Sequence, residues 1–541
     1  MSKLLPVDAV SFGADRPESR LRTAAIGTAH LLGALAVGAL FVDAVRPLSM
    51  ATHVAVASMF VVVVCLMGMN LVLGLRLNND GLARWRLGPW YLGWATLAYG
   101  ISSLTWIAPH NGAVAPITPA SVVRALVVFG IAMAAWTLGY VVGPLALFIK
   151  FAERTVAAIY GRTVAELKPS LLLPWALYLA GDSARALLAA LDGRIGYLGD
   201  ASSTVSSANW YTQTLTSVSS LCTFATAVAA WRTFVDRRKG GLATLLPLLV
   251  LEVATGAVTG MKENFIVTGL SVLVPYGVAR NKVPVRAMAL MVLTFLLLVI
   301  PFNVAFRDTV RHGKTTLSVP DAVSAVPATF DEVASASLRA DTASTSYEML
   351  VVRVRMIDNL ALIVQRSPIQ IPYKSALDYA KAPFVGLVPR FAWPGKPVMV
   401  PGYEFSMQYY GRPSSVYTSF AVTNVGDLYM HGGLPTVLVG AVLLGFAYRL
   451  FDQIFRPERD VRALFFVLAF LPVLMKSERD VGGIIVSVPT SLFTAMIGVR
   501  LACSKVVLRR GMPGRSRFPV GLGLLPDNAP RPSPRTGTGR R

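Results

Sequence analysis

The sequence predicts an all-α, polytopic integral membrane protein, and three observations predict it. Hydrophobic residues make up 54% of the 541 and charged ones 15%, with a mean hydropathy of +0.56. Soluble domains carry roughly 25% charged residues. Apolar runs of about 20 residues, the length that crosses roughly 30 Å of hydrocarbon, recur along the chain. Lys and Arg gather in alternate short loops between these runs, the pattern that orients helices in a bilayer.

The runs fall near 24–43, 52–75, 88–108, 120–148, 170–190, 210–231, 241–259, 264–279, 286–306, 433–451, 461–475 and 482–503, about twelve transmembrane helices. Residues 1–22 are polar, and no small-residue cleavage site follows the first run, so it reads as an uncleaved helix. Loops assigned to the inside carry Arg76, Arg84 and Arg86; Lys150, Arg154, Arg162 and Lys168; Arg232, Arg237, Arg238 and Lys239; Arg280, Lys282 and Arg286; and Arg449, Arg456, Arg459 and Arg462. The first three short loops assigned to the outside are sparse, with Arg46 in the first, none in 109–119 and Arg194 in the third, while the outward turn of Lys476 and Arg479 goes against the rule. This alternation puts both termini in the cytoplasm.

Four regions follow: a membrane bundle of about nine helices over 1–306, a long outward loop over 307–432, further membrane helices over 433–503, and a basic tail over 504–541. The net charge of +22 is concentrated in part at that tail. Residues 501–541 hold nine Lys or Arg against Asp527 alone, a net of +8 on a Pro/Gly/Arg-rich stretch. Such a segment marks the cytoplasmic side and touches anionic membrane lipid. No fold or aromatic-basic motif supports nucleic-acid binding. Cys65, Cys222 and Cys503 each lie in or at the end of an apolar run, with neither metal spacing nor a disulfide framework.

The long loop departs from the short-loop pattern. Its first third, to about 343, is small and polar. Ser346–Gln365 then has apolar residues at helical spacing around Arg353 and Arg355, the pattern of an amphipathic helix on the membrane or the bundle. Pro383–Gly433 follows, rich in Pro and Gly, so no long helix forms there. It carries Arg390, Lys396, Arg412, Glu404, Asp427, His431 and the aromatics Trp393, Tyr403, Tyr409, Tyr410 and Tyr429. Irregular, charged chain beside membrane helices is tolerated where it lines a site.

Ten cations fall on the outward side: Lys262, Arg307, Arg311, Arg353, Arg355, Arg390, Lys396, Arg412, Lys476 and Arg479. Singly, each reads as a solvated or snorkelling side chain. Together they suit a diphosphate, which Arg binds bidentately and Lys as a point charge. Asp182 and Arg185, three apart on one helix, are expected to pair. Walker loops, dinucleotide fingerprints and His-Glu-x-x-His are missing. The outward loops have no Asp-x-Asp pair for a divalent metal, so neither a metal nor another cofactor is expected.

The stretch PFVGLVPRFAWPGKP, with NVGDLYMHGGLPTVLVGAVLLG after it, resembles the bacterial O-antigen and exopolysaccharide repeat-unit polymerases. Arg390, Trp393, Pro394, Lys396 and Pro397 match that family's IPR-x-x-W-P-x-K-P-like segment. Gly426, Asp427, Tyr429, His431 and Gly433 approximate its G-E/D-x-Y-x-N-x-G run, and Thr259–Lys262 its small-Gly-x-Arg turn. Lys262 stands where that turn has Arg, and His431 at an Asn-like position. The resemblance covers roughly residues 250–450.

It implies an enzyme of the bacterial cytoplasmic membrane that joins polyprenyl-diphosphate-linked oligosaccharide units on the outer face, alongside a flippase and a chain-length regulator. An acceptor hydroxyl attacks the anomeric carbon of the growing glycan, and polyprenyl diphosphate leaves. Under that reading Arg390 and Lys396 face the diphosphate, assisted by Lys262, Arg307, Arg311, Arg355 and Arg412. Trp393, Tyr403, Tyr409, Tyr410 and Tyr429 stack on sugars, and Asp427, Glu404 or His431 is the base. A ligase-type transferase and a transporter of lipid-linked sugars or other solutes are the rival expectations; a membrane scaffold is the blandest.

Overall fold

The computed structural model describes residues 38, 49–74, 86–108, 116–160, 164–192, 209, 211–260, 262–280, 284–311, 319–337, 354–388, 390, 392–414, 418–458, 460–474 and 477–506. The chain is mostly helical, as its apolar periodicity predicts. Helix α1 (Met50–Gly74) is followed by α2 (Leu87–Ala95), α3 (Pro119–Val142), α4 (Ala146–Tyr160), strand β1 (Val164–Leu167) and α5 (Leu173–Asp192). Next come α6 (Thr212–Ser219), α7 (Leu221–Phe234), α8 (Gly241–Thr259), α9 (Lys262–Arg280), α10 (Val285–Thr294) and α11 (Ile300–Arg311). The loop region holds α12 (Val319–Ser337), α13 (Ile357–Arg366), α14 (Asp378–Leu387), α15 (Pro401–Tyr410) and α16 (Asn424–Met430). The chain then runs through α17 (Gly433–Ile454), α18 (Arg462–Leu474), α19 (Val481–Ala502) and strand β2 (Cys503–Val506).

Among the described residues, seven helical stretches are long and apolar enough to cross a membrane: Met50–Gly74, Pro119–Val142, Thr212–Phe234, Gly241–Thr259, Arg286–Asn303, Gly433–Ile454 and Val481–Ala502. This is a membrane protein. Helices α5 and α9 form where the runs at 170–190 and 264–279 predict them, but α5 carries Asp182 and Arg185, and α9 opens on Lys-Glu-Asn. Helix α18 is apolar but short. The run at 24–43 lies outside the described residues, Gly38 excepted.

Some expected helices are interrupted. The run at 88–108 stays helical throughout but passes from α2 through a π turn at Thr96–Gly100 into a 3-10 stretch at Ile101–Ile107. The run at 120–148 stops at Val142, because Gly143 turns at φ +71° and Pro144 cannot continue the ladder. The amphipathic α4 then starts afresh. Residues 504–506, assigned to the tail, are extended: β2 pairs antiparallel with β1, Val164 opposite Val506 and Leu167 opposite Cys503.

The closest packing is between α3 and α17. A Cβ on Gly139 would stand 2.1 Å from the Val442 carbonyl oxygen, and one on Gly445 2.1 Å from that of Trp136. The two backbones are in contact, as small residues allow in lipid-embedded bundles. Beside the crossing, Trp136 lies against Tyr91, Tyr140 and Tyr448 at ring separations of 5.1, 5.3 and 5.4 Å. Because the obstruction is backbone, Gly445→Ala must push the helices apart. A loss of about 1–3 kcal/mol is expected, read as a lower melting temperature in detergent. Gly93→Ala, where a Cβ meets open space, should melt close to wild type.

Contacts sort the helix ends into two faces. On one, the Met356 N–H donates to Ala98 O at 3.0 Å, Gln365 Oε1 accepts from Thr118 N–H and Ser121 Oγ, and Asn303 Nδ2 donates to Gly260 O at 2.7 Å. On the other, Asp452 accepts from the Leu87 and Gly88 N–H groups at 2.8 and 3.1 Å and from the Tyr140 hydroxyl at 2.8 Å. The Lys168 N–H donates to Ala502 O at 2.8 Å on that same face, beside the β1–β2 ladder.

Between the faces, Arg185 pairs with Glu252 rather than with its helix neighbour Asp182. Its Nη1 and Nη2 donate to the two carboxylate oxygens at 2.6 and 3.1 Å. Glu252 is buried in α8, and a buried carboxylate requires a partner more urgently than the half-buried Asp182 does.

Candidate functional site

The Pro/Gly-rich stretch folds as short helices, each ten residues or fewer, of which α14 and α16 pack against α19 and α15 against α13. The chain entering α16 is held to the turn before α19 by backbone bonds: Thr423 N–H donates to Glu478 O at 3.1 Å, and Asn424 N–H to Ser477 O at 2.9 Å. Asn424 Nδ2 donates to Arg479 O at 2.5 Å, while its Oδ1 accepts from the Tyr91 hydroxyl at 3.0 Å. Thr423 caps α16 by accepting the Gly426 N–H at 3.0 Å. Gly432 and Gly433, at φ +147° and +68°, take the sharp turn into α17 that a side chain would oppose.

This clasp places Asp427 at the head of α19. Its Oδ2 accepts from the Val481 N–H at 2.9 Å, the Gly482 N–H at 3.2 Å and the Tyr379 hydroxyl of α14 at 3.0 Å. The helix dipole and these donors favour the charged form, yet burial pushes the carboxyl above the usual range, and nearby Asp480 pushes it further. Asp480 is itself the α19 cap, accepting the Gly483 N–H.

His431, one turn along, completes the unit. Its Nδ1 is 2.8 Å from Asp427 O, 3.0 Å from the Tyr379 hydroxyl and 3.4 Å from Asp427 Oδ1. A carbonyl oxygen only accepts, so Nδ1 carries the proton, and Nε2 of the neutral ring holds a lone pair. Burial, then Asp427, drive the Tyr379 hydroxyl far above its ordinary range, so it stays protonated and donates. The arrangement is a hydrogen-bonded relay able to accept a proton at Nε2 and balance the charge at Asp427.

Arg479 belongs to the same turn. Its Nη2 donates to Ser487 Oγ at 2.5 Å, and Asp480 and Glu263 act on it electrostatically, which sets the α8–α9 turn nearby. Burial lowers its pKa, but a guanidinium stays charged at neutral pH. Lys262 opens α9 at that turn.

The Arg390–Lys396 hairpin lies past the far end of α14, roughly 12 Å from Tyr379 along the helix axis at 1.5 Å per residue. Arg390 donates from Nη1 to Lys396 O at 2.7 Å and from Nη2 to Pro397 O at 3.2 Å, and Lys396 Nζ donates to Val388 O at 3.0 Å. Burial, then Arg390, hold the Lys396 ammonium below the usual lysine range. Trp393 is exposed on this hairpin.

The other sequence candidates are dispersed. Arg355 is buried, donating to Asp358 at 2.8 and 3.0 Å and to Thr105 Oγ1 at 2.8 Å, with its guanidinium 5.2 Å from the Trp106 ring centre. It holds α13 to the end of the α2 stretch. Glu404, half-exposed on α15, is 3.7 Å from Lys374 Nζ. Tyr403 donates to Ser414 O at 2.6 Å, and Tyr429 sets its ring edge-on to Tyr373 at 6.1 Å. Tyr409 and Tyr410 pack in the α13–α15 core, where Tyr409 bonds Ser367 Oγ and Tyr410 bonds Asn359. Arg412 is exposed after α15, and Arg307 and Arg311 lie in the last turns of α11. Arg353 and Lys476 fall outside the described residues.

Tyr379 was not anticipated: it is a single tyrosine on a short helix with no motif around it. A family model for a domain of unknown function, DUF8712, matches residues 196–454. That range holds Lys262, the hairpin, Tyr379, Asp427 and His431, and ends before the Arg479 turn. No curated protein and no solved structure matches the chain.

Proposed function

We propose that this chain polymerises polyprenyl-diphosphate-linked oligosaccharide units on the outer face of the bacterial cytoplasmic membrane, with about twelve spans and both termini in the cytoplasm. The observation that carries it is the buried Asp427–His431–Tyr379 unit, set beside Arg479 at one end of a bundle of apolar helices. In this reading the acceptor hydroxyl of a lipid-linked unit gives its proton to His431 Nε2 as its oxygen attacks the anomeric carbon of the growing glycan. The C–O bond to the diphosphate breaks with its electron pair on the leaving oxygen. Asp427 supports the imidazolium, and Tyr379 holds both groups in register.

The leaving diphosphate needs positive charge rather than a strong acid. Arg479 is the described cation that shares a turn with the donors to Asp427, so it takes the phosphate nearest the attack, with Lys262 across from it. Arg390 and Lys396 receive the outer part of the lipid-linked substrate, with Trp393 exposed for a sugar face. Flippase and chain-length regulator are the expected partners.

Chain extension by purified protein, given a synthetic polyprenyl-diphosphate oligosaccharide, no nucleotide sugar and excess chelator, tests the reading. A ladder of glycan lengths is expected. Arg479→Gln should slow turnover about 10²–10³-fold, the loss of one preorganised charge donor. Arg390→Ala and Lys396→Ala should raise KM more than they lower kcat. Transfer to an added acceptor without a ladder would instead identify a ligase-type transferase. No transfer at all, with labelled lipid crossing proteoliposome membranes, would favour the transporter, for which the Arg185–Glu252 pair between helices is the relevant feature.

A further inference from the structure

Helix α4 opens where a spanning helix stops. The Tyr140 hydroxyl, in the last turn of α3, bonds Asp452, and the Tyr140 carbonyl accepts from Arg449 Nη1 at 3.2 Å, so α4 starts at the face of the bundle that carries Asp452. Its other end is tied to the same face. The link from Tyr160 to Val164 of β1 reaches at most about 14 Å, and β1 ends with Leu167 opposite Cys503, directly after α19. Between these ends α4 touches α17. A 15-residue helix, about 22 Å long, held at both ends to the ends of spans runs along that face rather than away from it.

Its outer side is apolar. Leu147, Phe148 and Phe151 are 76%, 58% and 69% exposed, and at 3.6 residues per turn they share one side of the helix. Lys150 and Arg154, both exposed and four residues apart, border that side.

We propose that α4 is an in-plane helix that beds Leu147, Phe148 and Phe151 into the lipid leaflet on the Asp452 face, with Lys150 and Arg154 gathering anionic headgroups around it. The occupant is lipid because the exposed row continues the boundary of the spans. Val142, exposed at the end of α3, leads through exposed Leu145 into it, and Leu171 and Leu172 are exposed just before α5. Large apolar side chains beside Lys and Arg suit the layer between headgroups and acyl chains. The surrounding charge favours an anionic leaflet. Residues 146–168 hold four cations (Lys150, Arg154, Arg162, Lys168) against Glu153 and Glu166, a net of +2. Arg238 Nη1 donates to Pro169 O at 2.8 Å, which brings the basic turn before α8 to the same face.

The test uses the full chain in nanodiscs of mixed phosphatidylcholine and phosphatidylglycerol. Cys503 is replaced by Ser, Cys65 and Cys222 being buried. A fluorophore is then attached through Phe151→Cys, through Phe148→Cys, or, as the aqueous reference, through Glu166→Cys on β1 beyond the end of α19. A nitroxide high on the acyl chain should quench the probe at 151 and at 148 about threefold more than at 166, and aqueous iodide should give the reverse order. With the nitroxide carried on phosphatidylglycerol instead of an equal trace of phosphatidylcholine, quenching at 151 should rise about twofold. Lys150→Gln/Arg154→Gln should abolish that rise and leave quenching from phosphatidylcholine in place. Iodide quenching at 151 and 148 as strong as at 166 would overturn the proposal, because α4 then stands in water. Protection of both positions from both quenchers would overturn it as well, because a second copy or another protein then covers the face. Equal quenching from the two headgroups would overturn the role of Lys150 and Arg154.

Discussion

Asp427→Asn is expected to slow chain extension by about 10²–10⁴-fold, the range for loss of positioned acid–base catalysis. The substitution nearly preserves shape but removes the charge that three donors and the His431 ring converge on. His431→Asn should cost a similar factor, because an amide accepts hydrogen bonds but is too weakly basic to take the hydroxyl proton. If His431→Asn retains near-native turnover while Asp427→Asn does not, the carboxylate is the base. The pH profile adds a sign. Burial, and then Asp480, raise the Asp427 carboxyl above the usual range. Activity should therefore fall on acidification at a higher pH than an ordinary carboxylate would give, as Asp427 takes up its proton. Asp480→Asn removes the second cause and should move that acid limb downward.

Glu252→Leu is expected to destabilise by about 3–5 kcal/mol, the cost of leaving one member of a buried ion pair without the other. Arg185 and Glu252 bridge α5 and α8, which both pack on α7, and Glu252 is 4% exposed. Melting in detergent should fall well below wild type, and Arg185→Met/Glu252→Leu should recover most of the loss. The double variant also bears on function. Under the polymerase reading, chain extension survives once stability is restored. A double variant that melts normally but no longer extends glycan would place the pair in the reaction or in substrate passage.

Much of the helical content was legible because length and hydropathy are local properties. The span at 241–259 is α8, and that at 482–503 is α19 within a residue. What the sequence concealed depends on distant chain. Glu252 is 67 residues from Arg185, so Asp182, three residues away, looked the better partner. The donors to Asp427 from Val481 and Gly482 are backbone N–H groups with no side-chain signature. Tyr379 gains its role only because α14 packs against α19. The β1–β2 ladder joins two four-residue segments some 340 residues apart, too short for alternation to register. Asp427 and His431 stood out for a sound reason: ionisable groups beside membrane helices are costly to keep.

The contact of α3 with α17 also sets an order on biogenesis. Gly139 precedes Gly445 by 306 residues, so at roughly 5–20 residues per second the ribosome needs about 15–60 s to make the second after the first. For that interval the small-residue seam of α3 has no permanent partner and must face lipid, a neighbouring helix or an insertion factor. Asp452, which caps α2, arrives later still. The N-terminal helices can enter the bilayer early, but they reach their final packing only after α17 is synthesised.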